Sequence, residues 1–160
     1  MALRVDYSAN FNGVHWKSGL LYSFSYKGYE HDPKPFCIFI NRIYGIHPNT
    51  GHQHRYIQCI NLNYLSRTYR KQFADDWVTA YGNSKGNIQF TWLLVKRKYP
   101  YLEAFIRRYV THPNYYISNL KVIPFDQMAE EIRGSWFKDF STKVRIKLFS
   151  GYRKLQRKLS

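Results

Sequence analysis

The chain has 160 residues, enough for one domain with its own core, and its 44% hydrophobic and 19% aromatic residues exclude a wholly disordered polymer. Lys and Arg number 25 against 10 Asp and Glu, a formal charge of +15. Such an excess argues against an enzyme for a small neutral substrate and for a polyanionic partner: nucleic acid first, then an anionic membrane, then an acidic protein surface.

No run approaches the roughly 18 consecutive apolar residues of a membrane-spanning helix, so no membrane partner is expected. The opening MALRVDYSANFNG lacks the apolar core of a secretion signal. A reduced, cytosolic setting follows, in which Cys37 and Cys59, each inside an apolar run, read as buried thiols; a bridge between neighbouring strands is the alternative.

In chain order, the first half predicts sheet. Leu20, Tyr22, Phe24 and Tyr26 alternate with Leu21, Ser23 and Ser25, the period of a half-buried strand over 19–26. PFCIFINRI (35–43) is continuously apolar and suits a central strand, with Pro35 at its start. RYIQCINL (55–62) is a third strand, and the turn-rich links between the three predict an antiparallel meander. The period then changes. Leu65, Tyr69, Phe73, Trp77 and Tyr81 fall four apart, predicting a helix over 64–81, capped by Asn63 and stopped at Gly82, with Arg67, Arg70 and Lys71 on its solvent face. Further helices are predicted over 88–98 and 101–110, separated by Pro100. A fourth strand is expected at 117–123, then a helix from Asp126 to about Phe137. The class is α+β, a small antiparallel sheet with helices mostly C-terminal. Residues 1–140 form one domain and 141–160 a basic amphipathic helical tail, with Val144, Leu148, Tyr152, Leu155 and Leu159 in one stripe.

The chemistry-bearing residue types are thinly spread. His47, His52 and His54 lie within one loop at spacings of five and two, without a nearby carboxylate, so they read as a polar loop able to meet phosphate when protonated and not as a metal site. No phosphate-binding glycine loop, nucleophile elbow or zinc-protease helix is present, so no cofactor and no catalytic residue is assigned. The adjacent pairs Asp75-Asp76 and Glu130-Glu131 diverge by about 100° on a helix and read as solvated surface.

The basic clusters are the stronger signal. Lys96, Arg97 and Lys98 precede the aromatic segment YPYLEAF, and Arg107 and Arg108 follow it. The last stretch carries Lys143, Arg145, Lys147, Arg153, Lys154, Arg157 and Lys158 and no acid. Cations of this kind neutralise phosphates irrespective of base sequence, and interleaved Tyr99, Tyr101, Tyr109, Trp136 and Tyr152 suit either the core or stacking on unpaired bases. All twelve cations are assigned to a nucleic-acid interface on helical surfaces at 96–108 and 143–158. A basic amphipathic tail also suits a partner groove or a membrane surface.

Three blocks carry a family resemblance: Tyr22, Phe24 and Tyr26 followed by a proline-containing turn; Pro35 to Ile40; and Ile60-Asn61-Leu62-Asn63-Tyr64-Leu65 opening a basic helix. ISNLKVIPFDQM is a further block. Together, over about residues 19–78 and 117–128, they resemble small proteins of T-even-like tailed bacteriophages labelled DNA end protectors. The resemblance implies a non-enzymatic virion protein, met in the host cytoplasm during assembly, that binds DNA without sequence preference and shields its packaged ends. The alternative is a structural component of neck, tail or baseplate whose basic tail docks an acidic virion protein.

Overall fold

A computed structural model describes residues 3–11, 13–28, 32, 34–65, 67–111 and 116–134. Among these described residues eight strands run in order: β1 (Arg4–Asp6), β2 (Ser8–Phe11), β3 (Val14–Lys17), β4 (Leu21–Tyr26), β5 (Phe36–Ile46), β6 (Gln53–Asn61), β7 (Ile106–Val110) and β8 (Ile117–Ile123). Three α-helices join them within the same residues: α1 (Arg67–Asn83), α2 (Ile88–Lys98) and α3 (Met128–Gly134). The fold is therefore α+β.

The central sheet has the order β7-β6-β5-β4-β8, all antiparallel, and β1 pairs with the far end of β5. The predicted meander is its centre, because β4, β5 and β6 are sequential neighbours. Strand β5 is long enough to serve two partners on one edge: Phe36 to Ile38 pair with β4, and Arg42 to Tyr44 pair with β1.

Each face of the sheet buries its own cluster. On one side Leu21, Ile38 and Ile60 pack under Phe73 and Trp77 of α1, Trp92 and Val95 of α2, and Ile132 of α3. On the other, the β2–β3 hairpin lays Trp16 over Tyr22, Phe24 and Phe39. Trp16 stacks on Tyr22 with ring centroids 4.2 Å apart, a contact worth about 0.5–1.5 kcal/mol beyond its buried area. The Tyr22 hydroxyl accepts from Lys17 N at 2.8 Å and donates to His15 O at 3.1 Å, tying the hairpin to the sheet. Cys37 and Cys59 are free and buried, in agreement with the thiol reading.

Four expectations are corrected. The helix predicted over 101–110 is a 3-10 segment (Pro100–Phe105) followed by edge strand β7, so Arg107 and Arg108 stand on a strand and not on a helix. Leu102, Phe105, Ile106 and Tyr109 mimic helical spacing, yet pairing of Ile106–Val110 with Tyr56–Ile60 wins. Helix α1 begins at Arg67, after a 3-10 turn at Leu62–Tyr64 whose cap is Asn61. Asn63 is buried instead of capping α1. Arg70, expected on the solvent face, is only 2% exposed. Helix α3 starts at Met128, after a 3-10 turn containing Asp126, and its predicted end near Phe137 lies outside the described residues.

Arg70 is buried because it completes a polar network. Its Nε donates to Leu62 O at 2.9 Å and its Nη2 to Asn63 Oδ1 at 3.0 Å. Asn63 Nδ2 donates to Asp32 Oδ1 at 3.1 Å, and Asn61 Nδ2 donates to the other Asp32 oxygen and to the Tyr109 hydroxyl. Burial raises the Asp32 pKa above its ordinary 3.8, opposed by the Asn63 and Asn61 amides and then by Arg107 and Arg70. Asp32, Asn61 and Asn63 thereby hold the chain before β5 against the start of α1. Their visible role is architectural.

Candidate nucleic-acid interface

The two described basic clusters converge. Asn87 caps α2 by accepting from Phe90 N at 3.0 Å, and the helix ends in Lys96, Arg97 and Lys98. Cations there face the negative end of the helix dipole, a local stabilisation of about 0.3–1 kcal/mol. Pro100 then turns the chain through the 3-10 segment into β7, which returns along β6 and carries Arg107 and Arg108. Arginines on an edge strand also discourage edge-to-edge pairing.

A hollow of about 360 Å³ lies between α2, the 3-10 segment and the sheet, with Trp92, Leu93 and Ile60 in its wall and Lys96, Arg97 and Glu103 among its lining residues. A second, open hollow of about 550 Å³ shares Glu103 and Ile106 with the first and is lined also by Gln58, Arg107 and Arg108. Lys96, Arg97, Arg107 and Arg108 thus surround adjoining depressions with Glu103 as their acidic member.

The cations are not equivalent. Lys98 turns away, its Nζ 2.8 Å from Asp76 Oδ1, while the same carboxylate accepts from the Tyr99 hydroxyl. Arg107 spends its Nε on the Tyr64 hydroxyl (3.1 Å) and its Nη1 on the carbonyls of Ala104 and Ile106, with the guanidinium 4.4 Å from the Tyr64 ring centre. Lys96, Arg97 and Arg108 are exposed.

Arg108 extends the track. Its guanidinium lies 5.0 Å from the Tyr56 ring centre; Tyr56 meets His54 at 5.5 Å, and His54 stacks on His47 at 5.8 Å. A basic and aromatic path therefore runs from His47 along β6 and β7 to the end of α2. The sequence reading left Tyr56 and Gln58 out and placed His54 in a loop. The available signal was the two-residue period of His54, Tyr56 and Gln58, which puts them on one face of β6.

The acidic pair Asp75-Asp76 is occupied in ion pairs: Asp75 with Arg133 at 2.6 Å and Asp76 with Lys98. Among the described residues no three His, Cys, Asp or Glu side chains gather as a metal-binding group. No helix among them is long and apolar enough to cross a membrane. Lys143, Arg145, Lys147, Arg153, Lys154, Arg157 and Lys158, with the tail assigned to 141–160, lie outside the described residues. Comparison with family models, with curated proteins and with solved structures finds no match to this chain.

Proposed function

We propose that this is a non-enzymatic, sequence-independent DNA-binding protein of a tailed-phage virion that shields the ends of packaged DNA. The observation that supports it best is the path from His47 through Tyr56 and Arg108 to Arg97 and Lys96, on a chain of net charge +15. Exposed guanidinium and ammonium groups release counterions from phosphates, whereas reading a sequence needs side chains fixed against base edges. Protection of termini comes from the sequence resemblance. It is tested by incubating linear duplex with excess protein and then with an exonuclease. Ends that survive while bound support the reading; digestion at the rate of naked DNA, with the protein bound, removes end protection from it.

One observation favours a second reading. Phe90, Leu93 and Leu94 of α2 are 61%, 47% and 40% exposed, next to Lys96 and Arg97. An apolar stripe at this spacing beside cations suits an acidic helix of a neighbouring virion protein. On that reading Leu93→Lys abolishes incorporation into particles while leaving DNA affinity intact; on the first, the same variant is incorporated normally.

A further inference from the structure

We propose that the end of the β5–β6 ribbon enters the major groove of a DNA duplex; this rests on the DNA-binding reading above. The ribbon outruns its neighbours. On one side β1 reaches only to the Arg4–Tyr44 pair, and on the other β7 reaches Tyr56, with Thr111 N donating to Arg55 O at 3.0 Å. Among the described residues two strands remain beyond that level, with Gly45 opposite His54 and Ile46 opposite Gln53, closed by a turn over 47–52. The turn holds its own shape: His47 N donates to His52 O and Gly51 N to His47 O, both at 2.9 Å, and His52 N donates to Thr50 Oγ1 at 3.3 Å.

Cations stand on both faces of the sheet at the base of the ribbon, from the ribbon itself and from β1 and β7 beside it. Directly paired residues share a face, and so do residues two apart. Arg4, Arg42, Tyr44 and Arg55 therefore lie on one face, with the Tyr44 ring flanked by Arg4 at 5.4 Å and Arg42 at 5.0 Å. His54, Tyr56 and Arg108 lie on the opposite face. The sequence carries no acidic residue between Asp32 and Asp75; Asp6, at the base of the ribbon, lies 3.3 Å from Arg4, and Glu103 shares a hollow with Arg108. A protein that rests on a flat stretch of backbone needs cations on one face. A ribbon inside a groove meets a wall of phosphates on each side.

The dimensions agree. Two strands about 4.8 Å apart fit a major groove about 12 Å wide, and two residue pairs plus the turn reach about 10 Å, against a groove depth of about 8.5 Å. The tip presents the uncharged, exposed Asn49, Thr50 and Gln53, which can touch base edges without imposing one sequence.

The test compares the protein with a variant in which residues 47–52 are replaced by Asn-Gly, a two-residue turn that preserves the Ile46–Gln53 pair. Both are titrated on duplex DNA, alone and with methyl green, a major-groove ligand, or distamycin, a minor-groove ligand. Expected are displacement of the protein by methyl green but not by distamycin, and about tenfold weaker binding by the shortened variant with an unchanged unfolding midpoint. Equal affinity of the two proteins, or indifference to methyl green, overturns the groove assignment while DNA binding stands; displacement by distamycin alone overturns it in favour of the minor groove. Absence of duplex binding by the unaltered protein overturns the underlying reading itself.

Discussion

Replacing Arg70 by Met isolates the network that joins the loop before β5 to α1. Methionine keeps an apolar stem in the site but removes every donor. Asn63 Oδ1 then loses its 3.0 Å partner, at about 1–3 kcal/mol for a buried acceptor left unpaired, while Leu62 O loses its 2.9 Å bond but keeps Leu65 N at 3.1 Å. Asp32, 2% exposed, also loses a nearby positive charge. The expected total is about 3–5 kcal/mol, the usual cost of removing one partner from a buried charged set. For a chain of this size that lowers the melting temperature by about 10 °C. Urea unfolding followed by the fluorescence of buried Trp16, Trp77 and Trp92 measures it. The double variant Arg70→Met, Asp32→Asn removes the stranded carboxylate and should recover about 1–2 kcal/mol of the loss. A single-variant loss under about 1 kcal/mol, or a double-variant loss equal to the sum of the singles, refutes this account of the network.

Other outcomes follow from the same contacts. Because burial raises the Asp32 pKa above 3.8, its contribution to stability is full below that value and declines as pH rises through the folded pKa. Asp32→Asn should remove this component, so the difference between the two proteins must vary with pH; a constant difference contradicts it. Burial likewise pushes the Tyr22 hydroxyl up to about 12, so stability should fall as pH rises from 10 towards 12, and Tyr22→Phe should lose less over that range. Lys98→Ala should change DNA affinity less than Arg97→Ala, since Asp76 already holds the Lys98 ammonium; equal effects would place Lys98 on the interface. Linear DNA kept with the protein and Mg²⁺ or Mn²⁺ should stay intact, and cleavage that disappears in Asp75→Ala or Asp126→Ala would establish an enzyme.

Much of the sheet was legible because its strands obey local rules. Tyr22, Phe24 and Tyr26 alternate, PFCIFI is uniformly apolar as a central strand must be, and the periods of α1 and α2 are helical. The N-terminal hairpin went unassigned, although an Asn-Gly pair at 12–13 marks a turn and Gly13 adopts a φ of +72°. Strand β7 was misread because Leu102, Phe105, Ile106 and Tyr109 sit at helical intervals while contacting different layers of the fold. Arg70 was misplaced for another reason: what buries it is Asp32, thirty-eight positions away, reached through Asn63. The site was half legible. Lys96, Arg97 and Arg108 stand out as charges, but their continuity with Tyr56, His54 and His47 exists only once β6 and β7 pair.

The central claim is most directly tested by the salt dependence of DNA binding. Affinities for two unrelated duplexes, measured from 50 to 200 mM salt, should fall together, and the triple variant Lys96→Ala, Arg97→Ala, Arg108→Ala should flatten the slope of log K against log salt by about 2.7, the contribution of three neutralised phosphates. An unchanged slope in the triple variant, or no binding by the unaltered protein at 50 mM salt, would contradict the account.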